Sequence, residues 1–197
     1  VIFPEIMTNI IKDIHYAKKG IFWLSVDNYF YRKRENIFLD KFNQIRSLIG
    51  GRLTLSKMKD FIHLAQSQYS VDFLKSNNLE SFYIGDYLND DFIKTIERDK
   101  NTIKKQKKVV FNPSKGKRFT RLFIDLFPDI EMIPLINMSR EEVIKNLKSS
   151  MIYLDLGQHP GRDRIPREAA IQDCIIFTSL YGSAKNDIDI PISDFYK

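Results

Sequence analysis

Between residues 151 and 178 the chain reads M-I-Y-L-D-L-G-Q-H-P-G-R-D-R-I-P-R-E-A-A-I-Q-D-C-I-I-F-T. No other stretch limits the fold so tightly. Residues 151–156 are a short apolar run of the kind a buried strand needs. Residues 157–164 form a polar loop holding Gly157, His159, Gly161, Arg162 and Arg164. Pro166 suits a first helical turn, because the N–H it lacks has no partner there. Residues 167–172 read as a short helix and residues 174–178 as a second buried strand. A strand, a charged loop, a helix and a strand place polar groups at a strand's carboxyl end and beside a helix N-terminus. In open α/β sheets that is where anions bind, because unpaired N–H groups and the helix dipole point there.

The loop has the side chains for such a ligand. Arg162, Arg164 and Arg167 bring three guanidinium forks within six positions, and each fork suits bidentate contact with phosphate oxygens. Glu168 is placed in the first helical turn, where a carboxylate favours the dipole and could accept hydrogen bonds from a ribose diol. A plainer reading stands beside this one: a solvated turn in which Asp163 neutralises one or two of the arginines.

The rest of the sequence bounds the setting. A chain of 197 residues forms one large or two small domains, and 43% hydrophobic content excludes wholesale disorder. The net charge of +6 points to acidic partners without choosing among nucleotides, phosphates, an anionic membrane surface or nucleic acid. The single cysteine, Cys174, excludes an internal disulfide, and its apolar run marks it as a core thiol. A reducing cytoplasm is the expected setting. There is no apolar run of about 18 residues and no visible signal peptide. The chain opens on Val1, as a fragment would.

In order, residues 1–3 are a strand candidate, and Ile6, Ile10, Ile11 and Ile14 predict a helix over 5–17. Residues 21–26 are a strong strand with Asp27 at its end, and 36–48 are a helix. Residues 61–65, 69–75 and 81–84 read as strand, helix and strand, with Asp86 beyond, and 91–97 as one or two helical turns. His63, in an apolar strand, is expected to be a satisfied core residue, and His15 a surface one. Residues 98–108 are polar and lysine-rich, and read as a linker; no aromatic residue interleaves the lysines to stack on bases, so no nucleic-acid partner is expected.

A second alternating series follows. Residues 109–111 are a strand, 112–116 a turn, and 117–127 a helix with Phe119, Leu122, Phe123, Leu126 and Phe127 as its buried stripe. Residues 130–135 are a strand. Ser139 and Glu142 form a capping box for the next helix, and residues 187–192 are a last strand candidate. The fold class is therefore α/β: two Rossmann-like domains with mostly parallel sheets, over residues 1–103 and 104–197, the first apparently short.

Two blocks carry a family resemblance. V-V-F-N-P-S-K-G-K-R-F-T-R-L-F and I-P-R-E-A-A-I-Q-D-C-I-I-F-T-S-L-Y-G resemble the carboxyl-terminal nucleotide-binding domain of GT-B glycosyltransferases, most closely the retaining family 4 type. The string H-P-G-R-D-R-I-P-R-E-A-A also resembles proteins of bacterial surface-polysaccharide loci. The match covers roughly residues 109–190; the amino-terminal half resembles the acceptor-side domain in rhythm alone.

The resemblance implies transfer of a sugar from a nucleotide-diphosphate donor to a glycan or lipid-linked acceptor; no Asp-x-Asp motif sits at a strand end, so no metal or other cofactor is expected. It implies a cytoplasmic enzyme in peripheral contact with an anionic membrane. Lys115 would contact the donor diphosphate, Glu168 the ribose, and the Gly157 to Gly161 loop the phosphates and sugar. Two departures stand out. Pro160, with His159 beside it, replaces the glutamate that the family carries eight positions before the ribose-binding one. Asn112 lies where the family has a phosphate-binding arginine. Arg162 and Arg164 would restore that charge, and His159 would act beside the sugar. A non-catalytic nucleotide-binding or scaffold module of the same fold remains the alternative.

Overall fold

Short apolar runs separated by polar turns become strands in both halves of the chain. The computed structural model describes residues 1–30, 51–88, 90, 93–94 and 104–197. The helix expected over 36–48, most of the turns expected over 91–97, and linker positions 98–103 lie outside the described residues. Two units result. One comprises Val1–Asp86 with His159–Arg162 and Asn186–Pro191; the other comprises Tyr87–Gln158 with Asp163–Lys185 and Ile192–Lys197.

In the first unit β1 (Ile2–Pro4), β2 (Gly20–Trp23), β3 (Ile62–Ala65) and β4 (Phe82–Tyr83) lie in sequence order, all parallel. Every crossover then moves the same way. Right-handed connections accordingly stack the intervening segments on one face. That face carries a single core of Ile11, Ile21, Trp23, Val26, Tyr29, Met58, Ala65 and Leu74. Trp23 sits at its centre, its ring 5.2 Å from Tyr29 and 5.9 Å from Phe73. On the opposite face Ile2 and Phe82 remain 62% and 67% exposed.

Three expectations for this unit are corrected. The helix predicted over 5–17 is a 3-10 turn, Glu5–Met7, and one α-helical turn, α1 (Thr8–Ile11). Ile6 and Ile10 stay largely exposed, so the isoleucine stripe is not a core face. β2 stops at Trp23 because Ser25 caps a short helix, α2 (Val26–Tyr29), its Oγ accepting from the Asn28 N–H at 3.1 Å. Residues 187–192 are a turn and not a strand. Asn186 Oδ1 accepts from the Ile188 and Asp189 N–H groups at 2.9 and 3.4 Å and closes an Asx-type turn. The helix expected over 69–75 is present as α3 (Gln68–Ser76), capped by Ser67.

The second unit is also a four-stranded parallel sheet, but its order is β6-β5-β7-β8. β5 (Gln106–Phe111), α4 (Lys117–Leu126), β6 (Glu131–Pro134), α5 (Arg140–Ser149), β7 (Ser150–Asp155), α6 (Arg164–Ile171) and β8 (Ile175–Thr178) follow in chain order. The path reverses across β5, so helices are needed on both faces. Strand alternation supplies two cores accordingly. Val109, Phe111, Leu154 and Phe177 face α4, through Phe123 and Ile124. Val110, Tyr153 and Ile176 face α5 and α6, through Leu147 and Ala169. The Ser139–Glu142 capping box is present in full at α5.

β5 begins at Gln106, so the last positions read as linker are strand. α4 buries a different stripe from the one expected. Thr120 is buried and Phe123 packs inward, whereas Phe119, Leu122 and Leu126 are at least half exposed. The α/β, Rossmann-like, parallel-sheet class holds for both units.

Candidate functional site

The reversal of strand order in the second unit fixes where a site can form. The chain runs from β5 to β6 on one side and then back to β7 on the other. The loops leaving β5 and β7 therefore belong to units wound in opposite directions, and the carboxyl ends of these strands are where ligands of open α/β sheets bind. Both loops are ones the sequence singles out, as residues 112–116 and 157–164; the second spans 156–163 in the structure.

The first is a tight turn. Asn112 Oδ1 accepts from the Ser114 N–H at 3.0 Å, and the Asn112 carbonyl from the Lys115 N–H at 3.4 Å. Gly116 then begins α4 at φ +55°, a left-handed conformation that favours glycine. A Cβ on Gly116 would lie 2.5 Å from the Leu156 carbonyl, and one on Gly157 would overlap Lys115 Cβ. The two loops thus touch backbone to backbone, and only glycine allows it.

Charge is concentrated at this junction. The Lys115 ammonium lies 3.8 Å from an Asp155 carboxylate oxygen and is in direct ion-pair contact with Asp163. Asp155 is buried at the end of β7 and accepts from the Tyr153 hydroxyl at 3.0 Å and the Gly157 N–H at 3.4 Å. Burial pushes the Tyr153 hydroxyl well above its usual pKa, with Asp155, Asp163 and Glu168 adding to it, so Tyr153 is a fixed donor. Thr178 pairs with Asp155 in register, and its buried Oγ1 has no hydrogen-bond partner among the described residues. The Ser179 hydroxyl donates to the Gly157 carbonyl and fixes that loop from the β8 side.

Asp163 is the N-cap residue of α6 and has extended dihedrals of −60° and 144°, yet its side chain makes no capping bond. The local sequence explains this. Pro166 stands at the third helical position, so one of the two N–H groups a cap would accept from is missing. The Lys115 ammonium is the stronger partner.

Glu168 lies in the second turn of α6 and not the first, because the helix begins earlier than expected, at Arg164. It is buried, and with Arg140, Val143, Arg164 and Ile165 it lines a shallow hollow of about 190 Å³ between α5 and α6. Arg164 is exposed on the first turn of α6. Asn112, Lys115, Gly157, Arg164 and Glu168 thus belong to the second unit.

His159, Gly161 and Arg162 belong to the first. His159 is fully buried. A Cβ on Gly161 would overlap the Leu24 carbonyl oxygen and approach Gln66 Oε1 to 3.1 Å. Arg162 donates to the Tyr83 hydroxyl at 2.7 Å and lies near enough to Asp189 to lower its pKa. Asp189 accepts from the Gln68 and Tyr69 N–H groups at 2.8 and 2.9 Å, at the N-terminus of α3. Burial nonetheless pushes its pKa up on balance. Asp27 accepts from the Tyr69 hydroxyl at 3.1 Å, and Asp86 from Gln66 Nε2 at 3.4 Å.

His63 is the core residue the sequence implies. The Trp23 indole N–H donates to its Nδ1 at 3.0 Å, and its Nε2 bonds the Met58 carbonyl at 2.9 Å. With Nδ1 accepting, Nε2 carries the proton. Burial lowers its pKa and keeps the ring neutral. Cys174 is likewise a core thiol: it donates to the Leu147 and Ser150 carbonyls at 3.1 and 3.4 Å, and burial raises its pKa despite Lys105.

Three features escape the sequence reading. Asp155 was covered by an apolar run, although Tyr-x-Asp at a strand end is a visible signal. Asp163 pairs with Lys115. Lys105, counted with the linker, donates to the Leu147 and Ser150 carbonyls at 2.9 and 2.8 Å and to that of Gln172.

Compared with protein-family models and with curated proteins, the chain matches none. No helix among the described residues is long and apolar enough to cross a membrane.

Proposed function

We propose that the second unit holds the nucleoside diphosphate of a nucleotide-sugar donor, and that the chain is a GT-B-type glycosyltransferase acting on a glycan or lipid-linked acceptor. The observation that carries this reading is the junction of the Lys115–Gly116 turn with the Gly157 loop at the point where strand order reverses. There two main chains come into contact, and one lysine lies beside them. The unpartnered Thr178 hydroxyl adds a polar group at the same strand ends. Glu168, buried beside Arg140 and Arg164, would be the acceptor for a ribose diol.

In the reaction, the bond between the sugar's anomeric carbon and the phosphate oxygen breaks. The acceptor hydroxyl forms the new glycosidic bond and gives up its proton, and the nucleoside diphosphate leaves with the bonding electron pair. Fixed positive charge at the leaving oxygens lowers that barrier. Lys115 supplies it, with Arg164 on the first turn of α6 as a further cation. The same pocket without turnover is a nucleotide-binding module, and the ion pairing of Lys115 with two carboxylates is the observation that favours that second reading.

Calorimetric titration of the full chain with uridine, guanosine and other nucleoside diphosphates, and with their sugar conjugates, tests the proposal. One nucleotide is expected to bind selectively, and Glu168→Ala to weaken it about tenfold, the loss of one hydrogen-bonded charged partner. Absence of binding across the panel would falsify both readings. Release of free nucleoside diphosphate on adding acceptor separates the enzyme from the module.

A further inference from the structure

Resting on that reading, we propose that Asp163 is an internal stand-in for the donor's phosphate, so that the diphosphate binds by displacing its carboxylate from Lys115. As found, the Lys115 ammonium already contacts two carboxylates, so an anion arriving there meets like charge. One carboxylate has to yield, and the two are held differently. Asp155 is 1% exposed at its side chain and is fixed by Tyr153 and the Gly157 N–H. The Asp163 side chain is 29% exposed and lies at the edge of the loop.

Asp163 also has somewhere to go. Its backbone already has N-cap geometry, and one side-chain rotation directs the carboxylate to the Ile165 N–H at the positive end of α6. The Gly116–Gly157 contact holds the backbone that carries Lys115 in place. Binding of the anion and capping of α6 are therefore coupled. The ligand takes the lysine, and the aspartate takes the helix end.

Titration of the full chain with inorganic pyrophosphate, wild type against Asp163→Asn, tests this. The variant is expected to bind about tenfold more tightly, since a like charge next to the site is removed, and Lys115→Ala in the same background is expected to abolish the gain. Asp163→Ser, which can cap α6 without a charge, is expected to repeat the gain and carries the test if the asparagine variant is poorly folded; urea unfolding without ligand reports the fold of each. Equal or weaker binding by both variants overturns the stand-in role while nucleotide binding by the wild type leaves the parent reading intact. If no protein binds pyrophosphate or any nucleoside diphosphate, both proposals fall together.

Discussion

The two sheets have the same strand number and the same parallel pairing, but they differ in order, and the difference decides where chemistry can occur. In the first unit the order β1-β2-β3-β4 never reverses among the described strands, so one face carries the core and no divergence of loops is imposed at the carboxyl ends. In the second, reversal across β5 divides the core between two faces and sets the switch point between β5 and β7. Even the aspartates differ in role. Asp189 closes a helix end in the first unit, whereas Asp163 leaves its own helix uncapped to reach a lysine in the second.

That contrast can be broken at three points. A one-faced core concentrated on Trp23 makes the first unit the more fragile to truncation. Trp23→Ala is expected to remove about 3–5 kcal/mol, as seen by urea unfolding followed through far-UV circular dichroism. A loss under about 1 kcal/mol would mean that the core does not depend on this ring.

In the second unit the corresponding weak point is a cation and not a ring. The Lys105 ammonium closes the carboxyl end of α5 and reaches the Gln172 carbonyl after α6. Lys105→Met keeps the aliphatic stem and is expected to cost about 2 kcal/mol, measured by the same denaturation. An unchanged midpoint would show that water replaces the ammonium without loss.

The smallest effect is a pH dependence confined to the first unit. The His63 pKa is lowered in the folded state, so below the unfolded value near 6.5 the unfolded chain takes up a proton that the folded chain refuses. Its contribution is present above that pH and is lost as pH falls toward the folded pKa, by at most about 1.4 kcal/mol per pH unit. Comparing urea midpoints at neutral and mildly acidic pH for the wild type and His63→Asn isolates it. Parallel curves for the two proteins would remove His63 from the account.

How much of this was legible in advance depends on range. Local signals read well: the Ser139–Glu142 capping box, the strand, turn and helix around Lys117, and the strand, loop, helix and strand after residue 150 all formed. Periodicity alone read less well where side chains compete. The isoleucines of 6–14 match a helical stripe, but they are β-branched and favour helix weakly, and the helix ends at Ile11. Ser25 is an N-cap inside an apolar run that reads as strand, and the alternating D-I-D-I of 187–190 hides an Asx turn. Strand order left no trace in the alternating rhythm, because β-α-β units look alike whichever side the next strand joins. The partners of Lys115 were illegible for the same reason: Asp163 is 48 positions away, and only the fold brings it near.

The abutment of Gly116 on Leu156 and Gly157 has a mechanical corollary. With two main chains in contact there, the gap between neighbouring strand ends is gauged by the thickness of a peptide group, a dimension no amino-acid change can retune. Replacing the residues around it can repaint polarity and hydrogen bonding while the calibre stays constant. Engineering at these strand ends therefore belongs to the surrounding side chains, with both glycines left alone.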